Sequence, residues 1–185
     1  MSNAFGVVLD MASVRWAAAW GVRRMTKILL IRHGHVEGIE PARFRGRQPL
    51  ELTAQGRAEV VAVAKRIASR WQPRTIYTSP MARCVKTGEA VAEVSGIAVQ
   101  ICDDLNDLRQ AKAEDPVLFS SWFAVPHLVR FPAGESLQDL DARTTNALRL
   151  VLSRHPDDAV VLVGHASFSV YRFHPIGASS KAPAA

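Results

Sequence analysis

Two histidines stand where apolar runs stop. Arg32-His33-Gly34 closes the run Lys27-Ile28-Leu29-Leu30-Ile31, and Gly164-His165 closes Val160-Val161-Leu162-Val163. Between them in the chain lies Ser79-Pro80-Met81-Ala82-Arg83. A guanidinium, an imidazole and a glycine in a row suit a site that meets an anion: Arg presents a fork of donors, His can be neutral or charged near neutrality, and Gly permits a turn or a close approach. Taken alone, Arg32 and His33 are as well explained as polar residues at a strand end, because a three-residue motif matches by chance easily. The second histidine and Arg83 shift that balance.

The elements that must position these groups can be read from periodicity. Unbroken Ile/Leu/Val runs without alternation imply strands covered on both faces, as in a parallel sheet, whose carboxyl edge is where ligands bind. Lys27 to Ile31 and Ala159 to Val163 are such strands. Two of them ending in histidine can bring both imidazoles to one sheet edge. Thr75-Ile76-Tyr77-Thr78 and Val99-Gln100-Ile101-Cys102 are shorter strands, rich in β-branched residues. Thr53 is placed to cap a helix whose Val60, Ala64, Ile67 and Trp71 form one stripe, with Pro73 beyond its end. Ser79 and Pro80 read as cap and first residue of a second helix, which puts Arg83 in its first turn. A cation there opposes the helix dipole, so an anion bridging it to the free amides would explain it. Ser136 with Asp139 forms a capping box for a helix from about Leu137 to His155, buried through Leu137, Leu140, Thr144, Ala147, Leu148 and Val151.

In order and spacing, Arg32-His33-Gly34, Ser79-Pro80-x-x-Arg83, Gly134-Glu135-Ser136 and the strand ending Gly164-His165 resemble the histidine phosphatase superfamily, which includes phosphoglycerate mutases and alpha-ribazole phosphatases. The resemblance runs from about Thr26 to Phe168. It implies a three-layer α/β/α sandwich with a mostly parallel central sheet, in a domain over residues 26–170. It also implies phosphoryl transfer through a phosphohistidine: His33 attacks phosphorus, Arg32, Arg83 and Gly34 hold the phosphoryl oxygens, and a protonated His165 stabilises the transferring charge. Arg43, in Arg43-Phe44-Arg45-Gly46, corresponds to a pocket-lining arginine. Asp107 occupies the place of the proton donor, commonly a glutamate, with Glu135 in reserve. No metal or cofactor is implied, because the cations are side chains. Three positions depart from the pattern. His35 replaces an acidic or polar residue, Ile39 a frequent asparagine, and Arg109-Gln110-Ala111-Lys112 an aromatic, glycine-rich segment.

The remaining residues bound the function. The chain of 185 residues carries a formal charge of +6, compatible with anionic ligands. It has no basic run, zinc spacing or aromatic RNA-binding motif, so nucleic acid bound through Arg43, Arg45 and Arg47 ranks well behind a small phosphorylated substrate. No segment reaches the ~20 apolar residues of a membrane span. Cys84 and Cys102 lack CxxC spacing and read as reduced thiols of a cytoplasmic protein, though counting alone leaves one disulfide open. Residues 1–25 read as a loose or helical extension without a catalytic role, with Met25 a natural start. The segment from Phe119 to Phe131, with Trp122 and His127, reads as an irregular cover. Residues 171–185 read as a disordered tail, and the early end relative to the family suggests truncation, with an uncovered sheet face and self-association, as a homodimer, to follow. Phosphatase is favoured over mutase, and an impaired phosphate-binding protein of the same fold is the other alternative.

Overall fold

The computed structural model describes residues 9–10, 25–37, 47–109 and 134–167. Chain order is β1 (Leu9–Asp10), β2 (Lys27–Arg32), α1 (Ala54–Arg70), β3 (Thr75–Thr78), α2 (Ala82–Ser95), β4 (Val99–Ile101), a 3-10 turn (Asp103–Leu105), α3 (Leu137–Arg154) and β5 (Ala159–Gly164). The strands form one sheet in the order β1-β2-β5-β3-β4, in which β2, β5, β3 and β4 are parallel and β1 is antiparallel.

The unbroken apolar strands are covered on both sides. Leu29, Ile31, Ile76, Val161 and Val163 pack under Ala64 and Ile67 of α1 and Cys84 and Val91 of α2. The alternate residues Ile28, Leu30, Tyr77, Val160 and Leu162 pack under Ala147 and Val151 of α3 and Leu105. Successive side chains of a strand point to opposite faces, so one continuous run serves two layers of helix. The result is the expected three-layer sandwich.

Register decides what meets at the carboxyl edge. Arg32 pairs with Gly164, and Thr78 with Val163. β2 and β5 therefore end level and β3 ends one residue short of them, so His33, His165 and Ser79 leave the sheet side by side. The chain reaches this arrangement only because β5, the last strand among the described residues, returns to lie between β2 and β3.

Most local expectations hold. The Thr53 side chain accepts the Gly56 N–H, and Ser136 and Asp139 form both bonds of a capping box. Two local readings need correction. The helix after Ser79-Pro80 begins at Ala82, with Met81 at its cap. Ser79 still accepts the Met81 N–H at 3.3 Å, but its hydroxyl is also engaged by His165. Within the segment read as a loose or helical extension, Leu9–Asp10 is a strand paired to β2, whose outer edge would otherwise leave its backbone unpaired. The rest of residues 1–24, Ile39, Arg43, Arg45, His127, the Phe119–Phe131 segment and residues 171–185 lie outside the described residues. Among those described, no helix is long and apolar enough to cross a membrane.

Candidate active site

His33 follows the last residue of β2. Its backbone N–H donates to the Gly164 carbonyl at 3.1 Å, which ties the ends of β2 and β5 together. Its Nδ1 lies 2.8 Å from the Gly34 carbonyl. A carbonyl only accepts, so Nδ1 carries the proton and Nε2 keeps its lone pair. Burial, then the nearby His165 and the Arg32 and Arg83 guanidiniums, push the His33 imidazole down to about 3, against the Gly34 bond, which acts the other way. The ring is neutral near pH 7 and has its free nitrogen available.

His165 follows β5. Its ring centroid is 5.3 Å from that of His33, at 62° between planes. It is buried, with Nε2 at 2.9 Å from Ser79 Oγ and 3.4 Å from Cys84 Sγ. Its Nδ1 faces Arg83 Nη2 and Asp107 Oδ2, each at 3.4 Å. Burial and then Arg83 hold its proton affinity well below that of an ordinary histidine. The expected protonated His165 is therefore not the state of the free protein: a second cation cannot be sustained against the arginines in a desolvated site. Its single proton goes to Asp107 or to Ser79, whose hydroxyl can accept or donate accordingly.

Arg83 is buried in the first turn of α2. It donates through Nη1 to the Gln48 carbonyl at 2.8 Å and through Nη2 to Asp107 Oδ2 at 3.1 Å. The Asp107 carboxylate also accepts from the Leu108 N–H and the Ser167 hydroxyl. His33, His165, Arg83 and Asp107 thus form one cluster at the sheet edge. Arg32 is exposed at the end of β2, close enough to lower the proton affinity of both imidazoles.

Two expected residues take other positions. Glu135 accepts from Arg143 at both oxygens, 2.9 and 3.0 Å, and from the Arg109 N–H. Burial alone would raise its proton affinity, but these bonds and the Arg143 charge outweigh it and hold the carboxyl below its usual range. Gly34 is not in the left-handed region, where Gly96 is the only glycine among those described. Its close approach is to protein: a Cβ on Gly34 would lie 2.6 Å from the Gly56 carbonyl oxygen. Arg47, weighed above as a nucleic-acid contact, is exposed and donates to the Asp107 carbonyl at 3.2 Å, with Glu135 at 3.8 Å.

Sequence reasoning missed Ser79 as a partner of His165, the Gln48 carbonyl under Arg83, Ser167, and above all Arg143. The available signal for Arg143 was a cation beside the buried stripe of α3, one position before Thr144. Cys84 and Cys102 are free thiols, and burial pushes the Cys84 thiol up to about 12. Among the described residues, no group of three or more His, Cys, Asp or Glu side chains is placed to hold a metal ion.

Known proteins share this fold. A family model described as the histidine phosphatase superfamily (branch 1) matches residues 28–171. Phosphoserine phosphatase 1 of Hydrogenobacter thermophilus is 28% identical over 151 residues, covering 76% of this chain and 71% of that protein. Metal-independent phosphoserine phosphatase of Arabidopsis thaliana is 26% identical over 153 residues, covering 76% of this chain and 64% of its own length. The structure of Bacillus stearothermophilus YhfR superposes with a TM-score of 0.72 at 26% identity, covering 78% of this chain and 76% of that one.

Proposed function

This chain belongs to the histidine phosphatase superfamily, and we propose that it hydrolyses small phosphomonoesters through a phosphohistidine on His33. The observation that carries the reading is the hydrogen bond from His33 Nδ1 to the Gly34 carbonyl. It leaves Nε2 as a neutral nucleophile in a cluster of cations. Two relatives named as phosphoserine phosphatases support a phosphatase over a mutase, and the printed name of one supports metal independence.

In the first step Nε2 of His33 attacks phosphorus and the bond to the ester oxygen breaks. Arg83 and Arg32 hold the non-bridging oxygens with forked donors. His165 donates to a third oxygen. An arriving dianion supplies the negative charge that the free site lacks, so His165 takes up a proton on binding. The leaving oxygen takes its proton from Asp107. Glu135 is the poorer donor: Arg143 and the Arg109 N–H hold its carboxyl below its usual range, and its partners lie on the α3 side, whereas Asp107 touches Arg83 and His165. The dianion draws Arg83 away from Asp107 and favours a proton shared between that carboxyl and the ester oxygen. In the second step Asp107 takes a proton from water, the hydroxide attacks phosphorus, and the P–N bond breaks to free His33 and inorganic phosphate. Preorganised charge of this kind commonly supplies the largest part of phosphoryl-transfer catalysis. The same reading takes the protein as cytoplasmic, in keeping with its free thiols.

The test is turnover of a panel of phosphomonoesters by the wild type and His33→Ala, with vanadate as a competitor. We expect turnover, a denaturation-stable, acid-labile phosphoenzyme, and loss of both in His33→Ala. Vanadate binding without turnover would mark a phosphate-binding module, and turnover retained by His33→Ala would remove the mechanism.

A further inference from the structure

Arg143 uses every donor it has on one short loop and on the carboxylate that closes it. The side chain projects from the second turn of α3 and is 14% exposed. Nε donates to Glu135 Oε1 at 2.9 Å, and Nη2 to Glu135 Oε2 at 3.0 Å and to the Asp107 carbonyl at 3.2 Å. Nη1 donates to the Asp104 carbonyl at 2.9 Å and the Asn106 carbonyl at 2.8 Å. A guanidinium has five N–H groups, and all five are used here. The three carbonyls belong to the end of the 3-10 turn and the residues after it, where no helix or strand satisfies them. Glu135 balances the charge and closes the loop's exit: its carboxylate accepts the Arg109 N–H, and its own N–H donates to the Arg109 carbonyl at 2.8 Å. The backbone of Asp104 to Arg109 is therefore held from the α3 side. From that same loop the Asp107 carboxylate reaches Arg83 and Ser167.

We infer that Arg143 is a positioning residue for the Asp107 proton donor, with Glu135 as its counter-charge. The inference rests on the phosphohistidine reading and names how its acid is aimed. A proton donor must sit within hydrogen-bond reach of the leaving oxygen, and an error of 1 Å can cost about 100-fold. Lysine cannot replace Arg143, because a point charge with three donors cannot span three carbonyls and both carboxylate oxygens.

The test separates aiming from folding by varying the leaving group. The nitrophenolate of p-nitrophenyl phosphate departs without a proton, whereas an alkoxide must receive one. Arg143→Lys and the isosteric Glu135→Gln are assayed on p-nitrophenyl phosphate and on the alkyl monoester the wild type turns over fastest. Circular dichroism checks folding. We compare kcat/KM, which reports phosphorylation and not the hydrolysis step common to both esters, and expect it to fall about 100-fold on the alkyl ester in Arg143→Lys, within the range a general acid supplies, and less than about tenfold on p-nitrophenyl phosphate. The double variant Arg143→Lys/Asp107→Asn should lose no more on the alkyl ester than Asp107→Asn alone. Equal losses on both esters, or none on either, would overturn the inference. If Arg143→Lys does not fold, the leaving-group pattern of Glu135→Gln decides by the same criteria. A wild type that turns over neither ester removes the proposed function instead, so the two failures are distinguishable.

Discussion

Gly34→Ala asks whether this glycine serves the ligand or the fold. A Cβ at Gly34 would sit 2.6 Å from the Gly56 carbonyl oxygen and 2.8 Å from Val60 Cγ1, where ordinary contact begins at 3.4 Å. The first turn of α1 must therefore retreat by about 0.6–0.8 Å, or the loop carrying His33 must move instead. A gap of that size forfeits a quarter to a half of the dispersion energy across it, and Val60, Ala64 and Ile67 of α1 are all buried against the rest of the core. Overpacking costs about 1–3 kcal/mol. The upper part of that range applies here, because one obstacle is helix backbone and cannot rotate away. For a chain of this size each kcal/mol lowers Tm by about 2–4 °C. We expect Tm to fall by about 5–10 °C in a thermal melt followed by circular dichroism, with a parallel loss of kcat/KM as His33 is displaced. Gly56→Ala, whose Cβ would meet the His35 carbonyl at 2.1 Å, should behave alike. The double variant should lose less than the sum, since both press on one interface. A Gly34→Ala protein with wild-type Tm and weakened vanadate binding would refute this reasoning and return the glycine to the ligand.

Three further outcomes follow from the same geometry. His33 titrates at about 3 when folded and near 6.5 when unfolded, so the unfolded chain takes up its proton first as pH falls. Stability is full above about pH 6.5 and is lost progressively toward pH 3. Allowing for partial exposure, His33 accounts for about 1–2 kcal/mol by pH 5, so urea midpoints should fall from pH 7.5 to 5, less steeply in His33→Asn, and a flat profile would count against the depressed imidazoles. Arg83→Lys loses the fork that reaches both the Gln48 carbonyl and Asp107. We expect vanadate affinity to drop about 10- to 150-fold by isothermal titration, since a charge-assisted pair contributes roughly 1.5–3 kcal/mol, and near-normal affinity would show that Arg83 does not hold the anion. Ser136→Ala breaks the capping box of α3 and should cost about 0.5–2 kcal/mol in urea unfolding, with no change expected if the cap is satisfied by solvent instead.

The amino-acid sequence by itself determined the parts whose causes are local. Ile28 to Ile31 and Val160 to Val163 announce strands covered on both faces, because no alternation of polar residues is left for solvent. Thr53 and Ser136 announce helix starts, because a cap is a contact three residues long. His33, Arg83 and His165 were legible as candidates because each ends or opens such an element. The pairing Arg32 with Gly164 belongs to the tertiary structure alone. It depends on β5 inserting between β2 and β3, a choice made by packing on both faces and invisible in any one segment. The role of Gly34 as a contact for α1, and the neutral state of His165, likewise arise from what surrounds them. Ser79 reads as a cap from its neighbours in the chain, while its partner His165 lies 86 positions away. Arg143 was silent for the same reason: its five donors meet carbonyls more than 30 positions upstream and a carboxylate two turns back, a set of contacts that only a closed sheet edge assembles.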